Sequence, residues 1–92
     1  MFFSDSDISI IAHGIDVVCD GLALNVGVSS ASTIRKMKNL KNRLINKAPS
    51  FTSGEIRNVC LSLETLLEAE PMNWAASQLL NRVLADMDSL SR

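Results

Sequence analysis

Tyrosine is absent from this 92-residue chain, tryptophan occurs once and phenylalanine three times. A core built from such a composition is aliphatic, with methionine filling its gaps. Two prolines, and no run in which β-branched residues alternate with polar ones, leave no strand to predict. A single histidine gives little acid–base capacity. No nucleophile stands beside it in a recognisable motif and no glycine-rich phosphate loop occurs, so no enzyme and no small-molecule substrate is expected. The two cysteines, Cys19 and Cys60, lie apart among apolar neighbours, without metal-ligand spacing, and read as buried, reduced thiols. A long uncharged apolar run is also missing. The stretch from Ile8 to Val28 is interrupted by Asp16 and Asp20, each costing about 2.5–3.5 kcal/mol at a bilayer centre. No basic residue precedes that stretch, as a secretory signal would require. The expectation is a cytoplasmic protein.

Acid is missing from one segment. Between Asp20 and Glu55 there is no carboxylate, while six of the nine basic residues (Arg35, Lys36, Lys38, Lys41, Arg43, Lys47) fall within 13 positions. The other three cations stand against all ten acids, so the rest of the chain is net −7 although the whole is only −1. Apolar residues make up 47% of the sequence, enough for a packed globule and too many for disorder. The length suits one domain spanning residues 1–92.

A helix-opening phrase occurs twice, 48 residues apart: Phe3-Ser4-Asp5-Ser6-Asp7-Ile8 and Phe51-Thr52-Ser53-Gly54-Glu55-Ile56. In each copy a hydroxyl residue can cap the helix, and an acid three residues on can bond back to it. The phenylalanine outside can staple onto the isoleucine one turn inside. The match continues through Ile11/Val59, Ile15/Leu63, Asp16/Glu64, Val18/Leu66 and Asp20/Glu68. Leu40-Lys41-Asn42-Arg43-Leu44-Ile45 is echoed by Leu79-Leu80-Asn81-Arg82-Val83-Leu84. The pattern predicts an all-α fold, a small four-helix bundle of two pseudo-repeated antiparallel hairpins, at about 3–48 and 51–91.

The first helix is expected from Asp5 to Asn25, ended by Gly27, with Ile8, Ile11, Ala12, Ile15, Val18, Cys19 and Leu22 on its core stripe. The second is expected from Ser32 to Lys47, after a connection from Val26 to Ala31. Its core face is Ile34, Met37, Leu40, Leu44 and Ile45. The third runs from Thr52 to Ala69 with Ile56, Val59, Cys60, Leu63, Leu66 and Leu67 inward. The fourth follows Pro71, capped by Asn73, with a stripe of Ala76, Leu79, Leu80, Val83, Leu84, Met87 and Leu90.

Several features exceed what folding needs. Ile10, Val17 and Leu24 form a second apolar stripe on the first helix, flanked by Gly14 and Gly21. A helix apolar on two sides packs on two sides. Either it is central in the monomer, or this face makes a homodimer with the glycines allowing close approach; the homodimer is the expectation. Leu61 projects to the polar side of its helix, and Trp74 lies opposite the stripe of the fourth. Tryptophan is enriched at binding hot spots, so both are assigned to a protein partner, with Trp74 folding over the interhelical turn as the alternative. His13, Asp16 and Asp20 share a face, but Asp16 and Asp20 match Glu64 and Glu68 while His13 matches Leu61. A duplicated acidic face without the histidine suits solubility or pairing with bases, so neither metal nor cofactor is expected.

The segment Leu22-Ala23-Leu24-Asn25-Val26-Gly27-Val28-Ser29, followed by Ser32-Thr33-Ile34-Arg35-Lys36-Met37, resembles a helix-turn-helix unit. It has alanine in the first helix, a Gly-hydrophobic-Ser turn, and a second helix opening with small residues and an isoleucine. The resemblance implies a dimeric nucleic-acid binder presenting helix 32–47, with Thr33, Arg35, Lys36, Asn39 and Arg43 facing the nucleic acid. Arginine and asparagine suit guanine and adenine edges and lysines suit phosphates. The leading expectation remains a non-enzymatic protein-binding module (adaptor, inhibitor or regulatory subunit), and the nucleic-acid binder is the alternative.

Overall fold

Three helix starts, those of the first, third and fourth helices, are written in the few residues before them. In a computed structural model of the chain, which describes residues 3–23 and 28–90, Ser4 Oγ accepts the Asp7 N–H at 3.2 Å. Asp7 Oδ2 accepts the Ser4 N–H at 3.0 Å in return. Thr52 and Glu55 form the same reciprocal pair at 3.1 and 2.9 Å. Two capping boxes therefore open α1 (Asp5–Ala23) and α3 (Ser53–Ala69). Before α4 (Trp74–Leu90), Asn73 Oδ1 accepts the Ala76 N–H at 3.0 Å, as the sequence predicts.

The second helix departs from expectation. α2 is Val28–Ile45, so the expected connection at residues 28–31 is helical instead. Ser29, Ser30 and Ala31 read as a polar loop, but nothing there breaks a helix: small residues are tolerated in a first turn and no proline or glycine intervenes. The predicted helix-turn-helix turn is thus largely absorbed into α2, while Leu24 and Gly27 lie outside the described residues. At its other end α2 stops two residues early. Lys47 adopts a left-handed backbone with φ 56°. Its N–H reaches Leu44 O at 3.1 Å and the Ala48 N–H reaches Arg43 O at 3.0 Å. This is a Schellman closure with lysine where glycine is usual.

The fold is a four-helix bundle with one continuous core. α1 and α2 are antiparallel, since Lys41 meets Asp16 at 2.8 Å and Lys47 meets Asp5 at 3.2 Å. α3 and α4 are antiparallel too, with Cys60 Sγ 3.4 Å from Met87 Sδ. α1 is the hub: it packs broadly against α2 and α3 and lightly against α4. Among the described residues α2 barely meets α3 and does not touch α4. Ile11, Ile15, Met37, Leu40, Leu44, Val59, Leu63, Leu66 and Val83 are sealed from solvent. At one end Phe3 and Phe51 meet edge to face, centroids 5.6 Å apart.

The hub position gives the second stripe of α1 neighbours within its own chain. Ile10 and Val17 are partly buried against the core of their own chain. Gly14 is buried where α1 crosses α3; a Cβ placed there would sit 2.6 Å from the carbonyl oxygen of Ser62. The close approach allowed by this glycine is therefore made inside the monomer, a correction to the role assigned it in self-association. Gly21 is exposed, and a Cβ added there would have nothing within 4 Å. Two other expectations also change. Ile45 and Leu84, assigned to core stripes, are exposed. Ile45 is the last residue of α2, and α4 is covered chiefly by α3, so neither helix has a neighbour wide enough to bury it.

Candidate functional site

Because α2 and α3 touch so little, a groove of about 650 Å³ opens between them. Thr33, Lys36, Asn39 and Leu40 form its α2 wall. Thr52, Gly54, Glu55, Arg57, Asn58 and Leu61 form the other. Leu61 stands 41% exposed. It follows Arg57 by one helical turn, so the two share a face of α3. The groove unites residues the sequence had assigned to different readings. Thr33, Lys36 and Asn39 came from the nucleic-acid reading and Leu61 from the protein-binding one. Arg57 and Asn58 were missed; their i, i+4 and i, i+3 spacing to Leu61 was the available signal.

The charges of the groove are asymmetric. Glu55 is the only acid among the described residues that line it, and it is committed. Burial alone would raise the Glu55 carboxyl; the Thr52 N–H and the Arg43 guanidinium outweigh it and hold the group below its ordinary value. Arg43 is held in turn. It pairs with Glu55, donates to Ser50 O at 2.7 Å, and lies 5.4 Å over the Phe51 ring. The sequence placed Arg43 against nucleic acid, but its guanidinium clasps the α2–α3 connection. Lys36 and Arg57 form no ion pair among the described residues. Arg35 lies exposed on α2 and is not part of the groove lining.

Other candidate features are self-contained. His13 Nε2 meets Glu70 Oε2 at 2.8 Å, and this contact, chiefly, lowers the Glu70 carboxyl. Asp16 is taken by Lys41, so the His13, Asp16 and Asp20 face is divided between neighbours. Burial pushes the Cys19 and Cys60 thiols up, away from the reactive thiolate. A recess of about 580 Å³ lies among Phe3, Ile8, Leu44 and Phe51, but its rim charges, Asp5 and Lys47, already pair. Trp74 is 72% exposed and Met72, which no sequence pattern singles out, is 79% exposed beside it. The tryptophan therefore does not bury itself over the turn, and neither residue lines the groove. No described helix is long and apolar enough to cross a membrane.

Comparison with protein-family models, curated proteins and solved structures finds no match to this chain.

Proposed function

We propose that this chain is a small helical protein-binding module, acting as an adaptor, inhibitor or regulatory subunit without catalysis. The observation that carries the reading is Leu61, a large apolar side chain left open in a groove whose polar groups can orient a partner. Binding sites commonly combine an apolar anchor with a few placed polar groups. Trp74 and Met72 are further exposed apolar side chains near the α3–α4 turn. The free thiols, Cys19 and Cys60, suit a reducing compartment such as the cytoplasm.

The test is co-purification of the tagged chain from its own cells, in parallel with Leu61→Ser and Trp74→Ser variants of unchanged helicity. The expected outcome is a protein partner that survives nuclease treatment and is lost from the Leu61→Ser variant. Recovery of the same proteins by both variants would overturn the reading.

The nucleic-acid reading keeps one supporting observation, that Thr33, Lys36 and Asn39 share the groove. It requires binding to DNA or RNA that falls steeply with salt. No binding at low salt would exclude it.

A further inference from the structure

We propose that the α2–α3 groove receives an acidic amphipathic helix of a partner protein. Its apolar stripe would rest on Leu61, and carboxylates on its two flanks would reach Lys36 and Arg57. This inference rests on the protein-binding reading above and names the chemistry of the partner.

Charge complementarity carries it. Lys36 rises from the α2 wall and Arg57 from the α3 wall, one helical turn from the apolar anchor, so the two uncompensated cations stand on opposite walls of the groove. The one acid on the described lining, Glu55, is already neutralised by Arg43. The groove is thus locally positive on a protein whose net charge is −1. A helix with apolar residues at i, i+3, i+4 and acids beside them presents the matching pattern. Each wall, Thr33 to Leu40 and Gly54 to Leu61, runs about 10 Å at the α-helical rise, the length of two turns of a bound helix. Asn39 and Asn58 add donors and acceptors along the walls.

A polynucleotide fits less well. Its affinity grows with the number of phosphates neutralised, and the cations of α2 are dispersed. Lys41 faces Asp16, Lys47 faces Asp5, and Arg43 clasps Glu55. Lys38 lines a different surface beside Asp16 and Asp20. Two cations in the groove match two carboxylates better than a run of phosphates.

The experiment is selection of random peptides about 16 residues long, enough for about four helical turns, on the immobilised full chain. Enriched peptides are then titrated by fluorescence anisotropy against the natural protein, Leu61→Ser and the Lys36→Glu/Arg57→Glu double variant. All three positions are exposed, and circular dichroism checks that each variant folds. The expected result is enrichment of net-negative peptides with apolar residues three and four apart. These should bind both variants at least tenfold more weakly and lose affinity as salt rises. Enriched peptides that are basic or uncharged, yet still depend on Leu61, would overturn the acidic occupant and leave the protein-binding reading standing. If no peptide prefers the natural protein over Leu61→Ser, both fall. Lys36-dependent binding of a mixed-sequence oligonucleotide at low salt, with no peptide enriched, would likewise overturn both.

Discussion

Gly14 and Gly21 lie two turns apart on α1 and have opposite surroundings. At Gly14 an added methyl meets the Ser62 backbone at 2.6 Å, and a backbone carbonyl has no rotamer by which to retreat. Gly14→Ala should therefore force α1 and α3 apart and destabilise by about 2–3 kcal/mol, within the range for overpacking. At Gly21 the methyl meets nothing, so Gly21→Ala should stabilise by up to about 1 kcal/mol through helix propensity alone. Urea unfolding of the two variants measures both; equal and small effects would refute the crossing geometry. Lys47 supplies a third local prediction. An L-residue in the left-handed region carries strain of about 1–2 kcal/mol, and its ion pair with Asp5 is highly exposed. Lys47→Gly should raise the unfolding midpoint, with a net gain of about 0.5–1 kcal/mol after glycine's entropy is counted.

Among the elements, α1 and α3 share an acid-sensitive opening. For Asp7, burial raises the carboxyl but the Ser4 N–H and Arg82 together outweigh it, so its pKa is lowered in the fold, as that of Glu55 is. A carboxyl depressed on folding stabilises fully above its unfolded pKa and loses that contribution as pH falls through the folded one. Stability measured against pH should therefore be flat on this account above about pH 5 and fall below the ordinary carboxylate values near pH 4. Glu55→Gln, which can still complete the capping box but cannot ionise, should make the acid limb shallower. Thr52→Ala removes the cap itself and should cost about 1 kcal/mol at neutral pH.

These elements also show what the sequence made legible. α3 and α4 could be bounded closely because their caps are local: Thr52 with Glu55, and Asn73 after Pro71. The start of α2 could not, because Ser29-Ser30-Ala31 serves a loop or a first turn equally well. Periodicity assigned Ile45 and Leu84 to core stripes, but it does not report how much of a stripe a neighbour covers, and both are exposed. The groove was half visible. Leu61 stood out as an apolar residue on a polar face, whereas its meeting with Lys36 depends on how α2 and α3 are held apart.

For the whole molecule, the hub role of α1 sets an expectation for assembly. Ile10, Gly14 and Val17 are engaged inside the bundle, so sedimentation equilibrium at high concentration should return a mass near the 10.0 kDa of one chain. Val17→Asp should lower stability in place of splitting a dimer. A dimeric mass, converted to monomer by Val17→Asp with the unfolding midpoint unchanged, would restore the self-associating face. Amide exchange should be slowest in α1, which has packed neighbours on several sides, and faster on the outer face of α2.

The Arg43 clasp has a consequence for how tightly the groove can hold anything. Its contacts to Glu55, Ser50 and Phe51 tie the end of α2 to the start of α3, two helices that otherwise hardly touch each other and are both seated on α1. The walls are thus preorganised, and a ligand need not spend its binding energy on assembling them. Arg43→Gln should weaken binding while leaving the order of preference among ligands unchanged, because it loosens the frame and alters none of the groups that read the ligand.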